Sequence, residues 1–322
     1  MAKNLRIGIV GVGRIGLQHA AVVVAQPMVG ELLVCDADPT RAQRAASQLG
    51  APVVPLDHLF SSVDAVIITT PTSTHAELLM EAARAGVPAF CEKPVALDVP
   101  TTRAVVEVVE QTGTLVQIGF QRRFDAGYIA AREAVRSGQL GELRRAHLLT
   151  CDPAPPAAEF VPASGGIFKD CGIHDVDILC WTTGRTVVEV DAYGVNRGAS
   201  FFAEAGDVDE AVGILRLDDD TLATLQLSRY NGQGYDVRME LAGTAGSIAV
   251  GLDDHTALRS AEPRTVFPAG SPHPGFYPAS APPTKPNSSS SSTRSPPANP
   301  QPSQSEKPSK PSTSAKPWPA PE

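Results

Sequence analysis

Residues 5–16 read LRIGIVGVGRIG, a sequence that predicts a strand, a glycine turn and a helix at the start of the chain. An apolar run typical of a buried strand, residues 5–10, leads directly into G-x-G-x-x-G and a helical pattern near 15–25. In such a turn Gly11 makes the tight bend, Gly13 lets a pyrophosphate approach the backbone, and Gly16 lets the helix pack on the strand. The N-terminus of the helix offers free N–H groups to phosphate. We therefore predict a dinucleotide-binding turn that contains Gly11, Gly13, Arg14, Ile15 and Gly16.

Strand and helix patterns continue to alternate on the C-terminal side of this turn. We expect further strands at residues 31–36, 63–70, 88–91 and 115–119, and helices at 39–49, 74–85 and 100–111. Alternation of this kind implies parallel strands, right-handed crossovers and a doubly wound α/β sheet. The sequence therefore predicts an N-terminal Rossmann domain over residues 1–121.

The pattern changes after residue 121. A helix expected at 125–137 is followed by segments that alternate apolar and polar residues, which is typical of a sheet with one polar face. We predict an α+β domain over residues 122–275 with an open, mostly antiparallel sheet. Residues 276–322 are rich in Pro and Ser and have too little apolar surface to offset the entropy of ordering, so we expect a disordered tail.

The composition excludes several classes of protein. The 322 residues carry a net charge of -8, with a pI near 5.4, which argues against a general nucleic-acid binder. No apolar run is long enough for a membrane span, and the N-terminus lacks a signal-peptide pattern, so we expect a cytoplasmic protein. The cysteines are odd in number and scattered, which indicates neither a disulfide framework nor a zinc ribbon.

Two polar segments follow predicted strands at the edge where a cofactor would lie. Asp36 ends the second strand and would accept both adenosine ribose hydroxyls and repel a 2′-phosphate, which favours NAD over NADP. Nearby Arg41 could tolerate that phosphate, and Asp36 could instead cap a helix or be a solvated loop residue. Thr70 and Pro71 follow a third strand and are expected to line the cofactor channel, although helix capping explains the threonine equally well.

Two further segments carry candidate catalytic groups. Glu92 and Lys93 follow the next strand at the same edge, where the lysine could reach a substrate oxygen, although most lysines are simply solvated. If the chain is helical from about residue 170, Asp170 and His174 share one face, so that the carboxylate can orient the imidazole. Histidine is the natural proton acceptor for an alcohol that loses hydride.

The alternatives for this second segment are a capped helix with a solvated face, or a metal site. The metal site would use Asp170, Cys171, His174 and Asp177, but Cys171 lies off their shared face and no second histidine is near. Four other histidines lack comparable neighbours and are interpreted as structural: His19, His58, His147 and His255.

The order of five motifs resembles the Gfo/Idh/MocA oxidoreductases. These motifs are GVGRIG, TTPTSTHAE, CEKPVA, GFQRRFD and SGGIFKDCGIHDVDILCWTTG, and the resemblance covers about residues 3–275. The segments GFQRRFD, CDPAPP and RYNGQGYDVRMELAGTAGSIAVG are similar to those of bacterial inositol 2-dehydrogenases. The resemblance implies that Lys93 hydrogen-bonds the substrate, that Asp170 and His174 form the catalytic pair, and that Arg122 and Tyr235 line the substrate pocket. A surface guanidinium and a core aromatic are the alternatives for the last two.

The activity that the resemblance implies is NAD-dependent oxidation of a ring hydroxyl, with myo-inositol converted to its 2-keto form. Another sugar or polyol dehydrogenase of the family is the first alternative. The resemblance also implies a homodimer or homotetramer formed through the second-domain sheet. Family members end in amphipathic helices where this chain has its Pro/Ser tail, which suggests a shifted reading frame. Loss of those helices leaves a third possibility, a catalytically impaired NAD-binding protein.

Overall fold

Two β-sheets organise residues 4–268 and 270–275, the part of the chain that the computed structural model describes. The first sheet has the order β2-β1-β3-β4-β5, and every neighbouring pair is parallel. Its strands are β1 (Leu5–Val10), β2 (Val29–Cys35), β3 (Ala65–Ile68), β4 (Ala89–Cys91) and β5 (Val116–Ile118). The order reverses at β1, so the crevice beside β1 and β3 is where an open α/β sheet binds ligands.

Helices cover both faces of this sheet. They are α1 (Arg14–Val24), α2 (Pro39–Leu49), α3 (Leu56–Ser62), α4 (His75–Arg84) and α5 (Val99–Thr112), with a 3-10 turn at Thr72–Thr74. One apolar core joins the sheet to α1 and α2 through residues such as Ile9, Ala20 and Ala42. A second core joins its other face to α3, α4 and α5, and it includes Leu59, Leu79 and Val105. Burial of the sheet on both faces explains its nearly continuous apolar strands.

The second sheet has the order β11-β10-β6-β9-β8-β7. Its strands are β6 (Leu143–Cys151), β7 (Val187–Val195), β8 (Glu210–Leu217), β9 (Leu222–Ser228), β10 (Asp236–Gly243) and β11 (Ser247–Val250). All neighbouring pairs are antiparallel except β6 and β9, which are parallel. The ends of β6 and β9 therefore lie side by side.

Helices α6 (Ala126–Arg136) and α8 (Ile173–Thr183) pack on one face of the second sheet. The short helices α7 (Val161–Ser164) and α9 (Ser200–Glu204), and 3-10 turns at Gln121–Phe124 and Ala158–Phe160, lie in the connections between the longer elements. Ile178 and Leu179 of α8 join Leu215 and Leu225 of the sheet in a third core. A π-helical turn, Phe168–Gly172, leads into α8. Turns of this kind occur frequently at functional sites.

The predicted fold class is confirmed, and the differences are local. The helix expected at 39–49 has those bounds, because Asp38 accepts hydrogen bonds from the Thr40 and Arg41 N–H groups and Gly50 ends the helix at φ +65°. Strand β3 is shorter than the expected 63–70, since Thr69 turns away to donate from Oγ1 to the Gly11 carbonyl. Helices α3, α7 and α9 were not predicted.

Three sequence predictions concern membrane-spanning segments, disulfide bonds and the C-terminal tail. None of the helices in the described ranges is long and apolar enough to cross a membrane. All five cysteines are free thiols. The tail predicted at residues 276–322 lies outside the described residues. All residues described belong to one compact unit of the chain.

Candidate active site

The glycine turn after β1 is too tight for side chains at two of its three glycines. Gly11 has φ +88°, and a Cβ atom there would lie 2.8 Å from the Thr70 nitrogen. A Cβ atom on Gly16 would lie 2.0 Å from the Gly11 carbonyl oxygen. Gly13 differs, because nothing lies within 4 Å of a Cβ atom built there. The backbone is therefore closely packed at Gly11 and Gly16, whereas the space beside Gly13 is empty. This arrangement fits a pyrophosphate group next to Gly13.

Substituting Gly13 by valine is expected to weaken NADH binding at least about tenfold, since a tenfold loss is only 1.4 kcal/mol. The added side chain enters the open space that a pyrophosphate needs, and its Cβ atom has no neighbour within 4 Å. The melting temperature should therefore stay near that of the unmodified protein. NADH fluorescence titration checks the affinity, and unchanged affinity would contradict the placement of the phosphate. Gly16→Ala is the contrasting variant, which should lose stability as well.

Asp36 lies immediately after β2 with its carboxylate turned into the glycine turn. Its Oδ2 accepts a hydrogen bond from the Val12 N–H (2.8 Å), and its Oδ1 accepts one from the Asp38 N–H (2.9 Å). Arg41 Nη1 donates to Oδ1 at 3.1 Å. Asp38, rather than Asp36, caps α2, which removes the capping alternative for Asp36. We still predict that the Asp36 carboxylate, which lies beside the turn, binds the adenosine ribose.

Thr70 and Pro71 border the same crevice from the end of β3. The Thr74 hydroxyl donates to the Thr70 hydroxyl (2.7 Å) and to the Pro71 carbonyl (2.9 Å). Buried His75 lies between two loops: its ring nitrogens are 2.8 Å from the Thr70 carbonyl oxygen and 2.7 Å from the Pro94 carbonyl oxygen. His75 thus links the Thr70 loop to the loop that follows Lys93.

Lys93 reaches from the end of β4 to the π-helical turn. Its Nζ donates to the Asp170 backbone carbonyl at 2.7 Å and to Asp170 Oδ1 at 3.1 Å. Both side chains are less than one-fifth exposed. The structure thus brings together Lys93 and Asp170, two residues that the sequence analysis placed in one site.

His174 lies on the first turn of α8 with a different set of neighbours from the one expected. Among the described residues, no hydrogen bond joins it to Asp170, whose oxygens are held by Lys93 and Arg229, and its buried Nδ1 has no partner. The Phe120 ring meets the imidazole edge-on at 6.3 Å. Burial lowers the pKa of His174 well below its usual 6.5, and the positive charges of Arg122 and Lys93 lower it further. The imidazole is therefore neutral and able to accept a proton.

Arg122 is buried, so the alternative of a surface guanidinium is wrong. Its Nη1 forms an ion pair with Asp175, and its Nη2 donates to Thr150 Oγ1 at 2.8 Å. Burial is the largest single influence and lowers the pKa of Arg122, but Asp175, Tyr128 and Tyr235 together raise it by more, so the group stays charged. Arg122 and Tyr235 line one cavity of about 400 Å³. The charge of Arg122 also reaches His174, as the pKa of the imidazole indicates.

The remaining residues of the alternative metal site, Asp177 and Cys171, have other partners. Asp177 forms an ion pair with Arg123, and Cys171 contacts Arg229. In the part of the chain that the structure describes, no three His, Cys, Asp or Glu side chains are grouped so that they could hold a metal.

Four residues around the site were not predicted from the sequence to belong to it. His19 was interpreted as a histidine without comparable neighbours, but its Nε2 lies 2.8 Å from Glu92 Oε1. His75, Asp152 and Arg229 were not considered. Asp152 and Arg229 lie in two of the quoted motifs, CDPAPP and RYNGQGYDVRMELAGTAGSIAVG, and the further signal was their position at or just beyond the end of an alternating segment. That signal becomes informative only if β6 and β9 are known to be parallel, which alternation of residue types does not reveal.

Two family models match the chain. Residues 5–120 match an oxidoreductase family with an NAD-binding Rossmann fold, and residues 128–249 match the GFO/IDH/MocA C-terminal domain. A Bacillus subtilis scyllo-inositol 2-dehydrogenase (NAD(+)) is 37% identical over 272 residues, covering 81% of this chain and 79% of that protein. A Rhizobium meliloti inositol 2-dehydrogenase is 37% identical over 248 residues, covering 76% and 75%.

Solved structures agree with these matches. A myo-inositol dehydrogenase from Corynebacterium glutamicum superposes with a TM-score of 0.76 at 35% identity, covering 86% of this chain and 84% of that one. The scyllo-inositol dehydrogenase from Lactobacillus casei, with bound NAD(H) and scyllo-inositol, superposes with a TM-score of 0.76 at 30% identity and the same coverage.

Proposed function

Since this chain belongs to the GFO/IDH/MocA family of NAD-dependent oxidoreductases, we propose that it oxidises a ring hydroxyl of a cyclitol, converting myo-inositol to 2-keto-myo-inositol. Residues 1–121 would bind NAD, and residues 122–275 would hold the substrate. The names of the relatives support the cyclitol class, and the choice of myo-inositol is the part that experiment must decide.

One observation carries the proposal: the Lys93 ammonium is bound to Asp170 close enough to His174 to lower the pKa of that imidazole. An alcohol that loses hydride must also lose its hydroxyl proton, so a neutral base is needed at the oxygen, and a cationic donor stabilises the negative charge that develops there. His174 supplies the base, and Lys93 supplies the donor.

NAD, when bound, accepts the hydride from the carbinol carbon. The chain's own contribution is to hold the reactants and move one proton. The open space at Gly13 and the N-terminus of α1 would receive the pyrophosphate, and Asp36 would receive the adenosine ribose. The other residues that we propose for cofactor binding are Arg14, Ile15, Thr70, Pro71 and Glu92.

At the reacting hydroxyl, His174 takes the proton while Lys93 donates a hydrogen bond to the oxygen, whose negative charge grows during the reaction. Asp170 holds the Lys93 ammonium in place. Arg122 and Tyr235 would bind other hydroxyls of the ring from the cavity that they line. Buried and hydrogen-bonded polar groups of this kind discriminate strongly between isomers that present or lack a matching hydroxyl.

The direct experiment is to measure NADH formation with myo-inositol, scyllo-inositol and a panel of aldoses. We expect kcat/KM to be highest with an inositol isomer. A clear preference for an aldose would replace the proposal by a sugar dehydrogenase. NADH binding without turnover on any of these substrates would instead support a protein that binds the cofactor but is catalytically impaired.

We also propose self-association through the outer face of the second sheet. That face exposes four large apolar side chains on neighbouring strands: Tyr193, Val212, Ile214 and Leu222. Apolar groups clustered in this way usually mark an interface. A second copy of the chain is the partner that the proposal names.

Ile214→Lys is expected to weaken that association by about 10- to 100-fold, because burying an isoleucine contributes about 1.5–3 kcal/mol. Light scattering after size-exclusion chromatography should show smaller particles at the same concentration. Leu115→Lys, at an exposed apolar residue outside the sheet face, is the matched control. An unchanged mass for Ile214→Lys would exclude this face as the interface.

A further inference from the structure

Arg229 follows β9 and is buried in a cluster of charged groups. Its side chain is 3% exposed. Nη2 donates to Asp170 Oδ2 at 2.9 Å, and Nη1 donates to Asp152 Oδ2 at 3.2 Å and to Cys171 Sγ at 3.0 Å. A buried cation is costly unless it is paired, so two carboxylates within reach explain how the fold tolerates it.

The parallel pairing of β6 with β9 creates this cluster. Cys151, the last residue of β6, lies opposite Ser228, the last residue of β9. Parallel neighbours end at the same edge of a sheet, so the residues that follow, Asp152 and Arg229, emerge side by side. The Asp152 N–H donates to the Ser228 carbonyl at 2.9 Å, which keeps the two chain segments together beyond the strands.

Asp170 divides its carboxylate between two cations. Oδ1 accepts from Lys93, and Oδ2 accepts from Arg229. With one oxygen held from the sheet side, the carboxylate cannot rotate without breaking a charge-assisted hydrogen bond. Burial lowers the pKa of Arg229, but Cys171 and the two carboxylates raise it by more, so the side chain remains a cation.

We propose that Arg229 is a positioning residue: it holds Asp170 in the orientation in which Asp170 in turn holds the Lys93 ammonium at the reacting oxygen. The proposal rests on the roles proposed above for Lys93, Asp170 and His174. Arg229 contacts Asp170 rather than Lys93. Its whole effect on the reaction should therefore pass through Asp170.

A double-mutant cycle tests that route. Arg229→Met should lower kcat by about 10- to 100-fold, because a displacement of about 1 Å can cost that much. The dissociation constant for NADH, measured by fluorescence, should change by less than about twofold. Asp170→Asn together with Arg229→Met should then be no slower than Asp170→Asn alone, within about a factor of two. If the fold-reduction in kcat of the double variant equalled the product of the two single reductions, the proposal would be overturned.

Two further variants separate positioning from general damage. Arg185→Met removes a half-exposed arginine that also pairs with a carboxylate, Asp219, outside the strands of the sheet, and it should keep wild-type kcat. A kcat for Arg185→Met as low as that of Arg229→Met would count against the proposal. Arg229→Lys keeps a cation and should recover part of the lost kcat. If Arg229→Met does not fold, the same cycle is run with Arg229→Lys.

Failure of the proposed function can be distinguished from failure of this inference. Absence of turnover by the unmodified protein on every cyclitol would count against the function alone. Crystal structures then test the positioning directly. In Arg229→Met the Asp170 carboxylate should move away from Lys93 Nζ by about 1 Å or more. An Asp170–Lys93 distance still at 3.1 Å would overturn the role of Arg229.

Discussion

Replacing His174 by alanine is expected to lower kcat for cyclitol oxidation by about 10²- to 10⁴-fold, the range typical of a lost general base. The imidazole is held neutral by burial and by the charges of Arg122 and Lys93, so it is ready to take the hydroxyl proton. Alanine leaves only water for that task. Steady-state kinetics with the best inositol substrate, at saturating NAD, measures the loss.

The control for this variant is a histidine outside both the candidate active site and the proposed interface. His58→Ala removes an exposed side chain on α3 whose Nε2 lies 3.9 Å from Asp57 Oδ2. It should keep full turnover, and both variants should bind NADH as the unmodified protein does. Full turnover by His174→Ala would remove His174 from the reaction, and weakened NADH binding would point to a structural role.

The acid limb of the pH profile should belong to His174. The neutral form is the active one, so kcat/KM is high above the pKa of His174 and falls as the pH drops through it. Because that pKa lies well below 6.5, the plateau should extend to pH values under 6.5. A limb centred above 6.5 would contradict the environment that the structure describes.

Lys93→Met should have the second large effect, a fall in kcat of about 10²- to 10³-fold, as expected when one donor to a developing oxyanion is removed. Methionine fills a similar volume but carries neither charge nor N–H donors. The Lys93 charge is also one of the causes that lower the pKa of His174. The acid limb should therefore move to higher pH in this variant.

Lys169→Met is the matched control. Lys169 is in the same π-helical turn as Asp170, but its Nζ donates to the Leu97 carbonyl, away from Asp170 and His174. It should keep its kcat and its pH profile. If Lys93→Met slowed turnover without any movement of the acid limb, Lys93 would not be close to the base, and the arrangement proposed for the reacting oxygen would be wrong.

The cofactor half of the site could be predicted from local sequence. A strand, a glycine turn and a helix are formed by residues within about a dozen positions of each other, and the tight contacts at Gly11 and Gly16 follow from that geometry. The end of β2 at Asp36 follows from the same unit. The sequence also indicated Lys93, which follows a predicted strand, and the pair Asp170 and His174, whose spacing places them on one face of a predicted helix.

The partners of these candidates depend on packing between distant parts of the chain. Lys93 and Asp170 are hydrogen-bonded although they are 77 residues apart in sequence, and Asp170 and Arg229 are hydrogen-bonded although they are 59 apart. The expected Asp170–His174 contact was plausible from helical spacing alone. It failed because stronger cationic partners reach Asp170 from β4 and β9.

The local pattern specified the sheet class, the glycine turn and the types of reacting group, because each depends on neighbours along the chain. The tertiary structure determines three other features. These are the direction in which Asp170 points, the burial that keeps His174 neutral, and the position of Arg229 next to Asp170. The parallel β6–β9 pair and the contact between the β4 loop and the π-helical turn create them. Ion pairs between distant residues form only when the sheets are assembled, so residue spacing in the sequence does not predict them.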